Sequence, residues 1–132
     1  METDNIQMNK IIREAENFEK AGELGNALEY YSRALDVLVL AAKDYAEISE
    51  EGQISAVMGT GQISAQYMAR FNDYLKKDKT AAVVSNRMGL VFARMENKAS
   101  ARAFFEQAID LTPGYLEYND PHIGLEMIDN LT

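Results

Sequence analysis

A chain of 132 residues has the length of a single domain, and a content of 47% hydrophobic and 26% charged residues excludes wholesale disorder and fibrous repeats. The absence of cysteine removes a disulfide framework, a thiolate nucleophile and sulfur-ligated zinc. A net charge of −8 opposes binding to phosphate backbones, so nucleic acid is not an expected partner.

The longest apolar run, 37–42, falls far short of the ~20 residues needed to span a bilayer. The opening Met1-Glu2-Thr3-Asp4 lacks the basic and apolar character of a secretory signal. The expected compartment is the cytoplasm. Charge is unevenly spread: residues 1–69 carry −7, residues 70–102 carry +5 and residues 103–132 carry −6.

Both prolines, Pro113 and Pro121, lie near the C-terminus, and the chain before them is rich in helix-forming residues. Apolar residues at helical spacing predict a first helix over 5–21, with Ile11, Ala15 and Phe18 on one stripe. A second is predicted over 24–48, with Ala27, Tyr31, Ala34, Leu35 and Leu38 on another. Gly22 to Gly25 supply the turn between them.

The region 53–77 reads either as two short helices broken at Gly59-Thr60-Gly61 or as one helix turning Ile63, Tyr67, Phe71 and Leu75 inward. Helices over 79–95 and 97–111 follow, with Asn97 as the N-cap of the latter and Thr112-Pro113-Gly114 as its stop. Asp120-Pro121 opens a last helix with Ile123, Met127, Ile128 and Leu131 expected on one face. The expected class is all-α.

The chain resembles itself. Ala27, Tyr31 and Ala34 reappear as Ala101, Phe105 and Ala108 with the same spacings, and Ala15 and Phe18 reappear as Gly89 and Phe92. Small residues let paired helices approach closely, and the aromatic fills the space beside them.

This pattern resembles the tetratricopeptide repeat (TPR), a helix–turn–helix unit of ~34 residues. The best match, 82–115, carries Gly89, Phe92, Ala101, Phe105, Ala108 and Pro113 at the positions of the family pattern. The match over 8–41 is weaker, with Ala15 in place of glycine, Glu14 at an apolar position and Val39 in place of the closing proline. The resemblance implies helical hairpins in a short right-handed solenoid, with an irregular middle at 42–81 and a capping helix at 120–132. The phrase Gly25-Asn26-Ala27-Leu28-Glu29-Tyr30-Tyr31 also resembles a three-helix microtubule-interacting-and-trafficking (MIT) domain, a resemblance that leaves 82–132 unexplained.

Catalytic constellations are poor. His122 is the only histidine, so any histidine-based dyad has a single centre. Gly59-Thr60-Gly61 lacks the strand before it and the Gly-Lys-Ser/Thr after it that a phosphate loop requires. Glu14, Glu16, Glu19 and Glu23 read as a solvated face, and the stretch 73–78 lacks the turn glycine and closing glutamate of a calcium loop. No enzyme, metal or cofactor is expected. Met88, Phe92, Phe105 and Leu111 read as core of the better repeat, and Met58, Met68 and Met95 read as core before groove.

In the TPR resemblance the first helix of each hairpin lines a concave surface that grips peptides or helices. That implies partner contacts at Val83, Asn86, Arg87, Leu90 and Arg94, with Asn9, Ile12, Arg13 and Glu16 as their N-terminal counterparts. Asparagine can pair with a peptide backbone and arginine with carboxylates, so an acidic protein segment is the expected ligand. Ser85-Asn86-Arg87 stands one residue out of register with the carboxylate clamp of chaperone-binding family members, so that specialised ligand is not expected. The function expected from these residues is a non-catalytic interaction module. The alternatives are a self-assembling, homo-oligomeric structural protein and an MIT-like module binding a partner helix.

Overall fold

The computed structural model describes residues 2–49 and 65–130. Among these the protein is all-helical, without strands: α1 Glu2–Lys20, α2 Leu24–Ser49, α3 Ala65–Leu75, α4 Thr80–Arg94, α5 Lys98–Asp110 and α6 Asp120–Asp129. In the middle region, helix covers Ala65–Leu75, with Leu75 buried and Tyr67 and Phe71 half-buried. Met58, Gly59-Thr60-Gly61 and Ile63 lie outside the described residues.

Two turns repeat one geometry at an offset of 74 residues. After α1, Gly22 adopts φ 79°, and the Glu23 N–H donates to Phe18 O at 2.9 Å. After α4, Glu96 adopts φ 63°, and the Asn97 N–H donates to Phe92 O at 2.9 Å. Both close the helix end with a left-handed residue and satisfy a carbonyl that would otherwise be orphaned. Only the first turn places glycine in that conformation, so Glu96 carries a backbone strain that Gly22 avoids.

α5 then starts on its expected cap, since the Ser100 N–H donates to Asn97 Oδ1 at 3.1 Å. α4 starts differently. Its Lys79 cap makes no side-chain bond, and Asp78 Oδ1 instead accepts from the Thr80 N–H at 2.9 Å.

α1 packs on α2, α4 packs on α5, and α2 joins the two pairs by packing on both α3 and α4. The small and aromatic residues of the internal repeat lie at the centre of each pair. Ala15, Ala27, Tyr31 and Ala34 are fully buried in the first, and Ala101, Phe105 and Ala108 in the second. Methyl-sized side chains permit the close approach, and one aromatic ring per pair fills the remaining space. Met88 is core as expected, whereas Phe92 and Leu111 are half-buried.

Phe105 joins three helices. A Cβ added to Gly89 of α4 would stand 2.7 Å from its Cδ1 and Cε1, and one added to Gly124 of α6 would stand 2.5 Å from Cε1. Both backbones therefore meet the same edge of the ring, as only glycine allows. This contact sets the rotation of α6. The expected apolar face of Ile123, Met127 and Ile128 is not the buried one: Pro121, Gly124 and Ile128 face inward, whereas Ile123 is 61% and Met127 40% exposed. Leu131 lies outside the described residues. Arg102 of α5 makes an ion pair with Asp129 and ties down the far end of α6.

Candidate functional site

Two helices far apart in sequence form a groove of about 230 Å³. α1 contributes Asn9, Ile12 and Glu16, α4 and its cap contribute Lys79, Thr80, Val83, Val84 and Arg87, and Tyr31 of α2 lies between them. The volume is below the ~300–1,000 Å³ of small-molecule pockets, so the groove suits a few side chains of a chain segment better than a cofactor. Its floor is apolar, from Ile12, Val83, Val84 and the Tyr31 ring, and its rim is polar on both sides.

Glu19, near the C-terminal end of α1, organises the cationic side of this groove. Its Oε1 accepts from the Tyr31 hydroxyl at 2.8 Å, and its Oε2 lies 3.9 Å from Arg87 Nη1. Its backbone carbonyl accepts from Arg94 Nη1 at 3.2 Å. The Glu19 side chain is only 15% exposed, whereas that of Arg87 remains 45% exposed. Arg87 is thus tethered from behind by one carboxylate and keeps nearly half of its surface open. Burial, followed by the Glu19 hydrogen bond and charge, pushes the Tyr31 phenol well above its ordinary pKa, with Arg87 opposing.

Asn9, Ile12, Glu16, Val83 and Arg87 of the expected contact residues come together in the groove. The others do not line it. Arg13 is exposed on α1, and Arg94 is exposed at the end of α4, bound to the Glu19 carbonyl. Leu90 is half-buried against the Ala101, Phe105 and Ile128 cluster. Asn86 is only 4% exposed, and its Oδ1 has no hydrogen-bond partner. Its side chain faces Tyr118, whose phenol is pushed up chiefly by burial and next by Asp120, with Arg87 and Asn86 pulling the other way. The reason lies in helical phase: an asparagine one position before Arg87 is turned ~100° away from it, toward the segment leading into α6.

Lys79, Thr80 and Tyr31 were not among the expected contacts. Lys79 and Thr80 reach the groove because α4 begins there, and Tyr31 because the small Ala15 and Ala34 leave room for its ring. Glu19, read as part of a solvated acidic run, is largely buried. The detectable signal is the buried tyrosine twelve residues later, whose hydroxyl needs an acceptor.

A larger depression of about 490 Å³ lies on the outer side of the α1–α2 pair. Its rim mixes Lys10 and Arg33 with Glu14 and Asp36, and Arg33 is already bonded to Glu29 and stacked over Tyr30. Among the described residues no cluster of three or more metal-ligating side chains occurs, and no helix is long and apolar enough to cross a membrane. Comparison with known proteins finds no family model, no curated protein and no solved structure that matches this chain.

Proposed function

We propose that this chain is a non-catalytic interaction module that holds an extended, acidic segment of a partner protein in the α1–α4 groove. One observation carries the proposal: an apolar floor between two helices, rimmed by Asn9 and Glu16 on one side and by Lys79 and an anchored Arg87 on the other, so that the two cations on α4 face the one carboxylate on α1. Ile12, Val83 and Val84 would cover an apolar side chain of the ligand, and Asn9 would pair with its backbone. Lys79 and Arg87 stand eight residues apart on α4, ~12 Å along the helix axis, and would receive its carboxylates.

The architecture in this reading is a short TPR-like solenoid. It is supported by the matched burial of Tyr31 and Phe105 and by the turn repeated after α1 and α4. A partner-binding groove between the first helices of successive units is what that architecture would provide, and a protein segment in the cytoplasm is the ligand it would meet.

The test is fluorescence anisotropy with a panel of extended peptides bearing two carboxylates around one apolar residue. Protein mass is measured in parallel by light scattering. Peptides of this type should bind wild type and lose at least about tenfold in affinity to Lys79→Glu/Arg87→Glu. Arg33→Glu, on the outer side of the first pair, should leave binding unchanged. If no peptide binds, or the groove reversal has no effect, the proposal fails. A concentration-dependent mass would turn the assignment toward self-assembly.

A further inference from the structure

α6 repeats α4 at an offset of 35 residues. Gly89-Leu90 and Gly124-Leu125 correspond, and both glycines press against the same edge of the Phe105 ring. By the same offset Met88 corresponds to Ile123, and Phe92 to Met127. Of the α4 residues, one is buried and the other half-buried. Met88 is 3% exposed, and Phe92 stacks on Phe104 of α5 with centroids 5.4 Å apart. Their α6 counterparts are exposed, Ile123 at 61% and Met127 at 40%.

Ile123 and Met127 stand four residues apart and form one ridge about 110° around the helix from the buried face of α6. At ~100° per residue, Asp120 flanks this ridge on one side and Glu126 on the other. No lysine or arginine occurs anywhere in 103–132, so no such cation in this stretch neutralises that rim. A symmetric pairing of two α6 ridges would bring acid against acid.

We propose that the Ile123–Met127 ridge docks an amphipathic helix of a different protein. That helix has an apolar stripe of small and larger residues flanked by lysine or arginine, and it covers α6 as α5 covers α4. The small residues of the stripe allow close approach, as Ala101 and Ala108 do in α5, and the basic flanks answer Asp120 and Glu126. This surface is separate from the α1–α4 groove.

The probe is a pair of synthetic helical peptides of about four turns with the same Ala/Leu stripe, one flanked by lysine and one by glutamate. Binding is read by anisotropy against wild type, Ile123→Ser/Met127→Ser and Arg87→Glu. Both ridge residues are exposed, and unfolding curves that match wild type establish that the ridge variant is folded. The lysine-flanked peptide should bind wild type at least about tenfold more tightly than the glutamate-flanked one. It should lose about that factor to the ridge variant and nothing to Arg87→Glu. Undetectable binding, or binding insensitive to the ridge variant and driven by net charge alone, overturns the proposal. So does a dimer of the free protein that the ridge variant dissolves, because a second copy would then be the occupant.

Discussion

Replacing Gly124 by alanine sets two effects of known sign against each other. Alanine is favoured over glycine inside a helix by ~0.8–1 kcal/mol. The new Cβ, however, would lie 2.5 Å from Cε1 and 2.6 Å from Cζ of Phe105, against a carbon–carbon optimum of ~3.5–4.0 Å. The ring has no free volume to retreat into, because it is fully buried and Gly89 already abuts the same edge.

Forcing a methyl group into such a core costs ~1–3 kcal/mol, so after the helix gain the net expectation is a loss of up to about 2 kcal/mol. For a domain of this size that lowers Tm by up to about 7 °C. Urea unfolding followed by far-UV circular dichroism measures the change directly. Gly25→Ala is the control: its Cβ meets nothing within 4 Å, so this variant should gain about 0.5 kcal/mol. In a Phe105→Leu background the Gly124→Ala penalty should largely vanish, giving a coupling energy of about 1 kcal/mol or more. A Gly124→Ala protein more stable than wild type would refute the three-helix joint at Phe105.

Glu96→Gly should stabilise the protein by about 1 kcal/mol, because it relieves a non-glycine residue at φ 63°; equal or lower stability in denaturant would mean the left-handed turn is not kept in solution. Asn97→Ala removes the acceptor of the Ser100 N–H and should cost about 1 kcal/mol in the same assay. Tyr31→Phe leaves the largely buried Glu19 carboxylate without its hydroxyl donor and should cost about 1–2 kcal/mol at neutral pH. The raised Tyr31 pKa also sets a sign: above pH ~10 the unfolded chain releases this proton while the fold retains it, so stability falls as pH rises. Unfolding curves taken between neutral and alkaline pH should show that decline reduced in Tyr31→Phe, with the remainder contributed in the same direction by Tyr118.

Much of the fold is legible in the sequence where the signal is local. Asn97, Thr112-Pro113-Gly114 and Asp120-Pro121 act on their own backbone, and α5 and α6 start and stop beside them. The spacing of Ala27, Tyr31 and Ala34 likewise identifies the buried face of α2. The face of α6 is misjudged by hydrophobicity because the residue that decides its rotation, Gly124, has no side chain to count. Its role exists only against Phe105, nineteen residues earlier.

The groove is legible in part for the same reason. Asn9, Val83 and Arg87 follow from the periodicity of α1 and α4, whereas Asn86 and Leu90 sit on neighbouring phases that the chain itself covers. Glu19 is indistinguishable from Glu14, Glu16 and Glu23 as one of a run of acids. Only tertiary contact with Tyr31, Arg87 and Arg94 separates it from them.

The central claim is that a partner segment lies between α1 and α4, and amide chemical-shift mapping tests it most directly. The tightest acidic peptide is titrated into isotopically labelled protein, and the perturbed residues are placed on the structure. Shifts should concentrate at Asn9, Ile12, Lys79, Thr80, Val83 and Arg87, with the outer face of α1–α2 and the α6 ridge unmoved. Shifts centred instead on Lys10, Tyr30 and Arg33, or scattered over the surface without a focus, would contradict it.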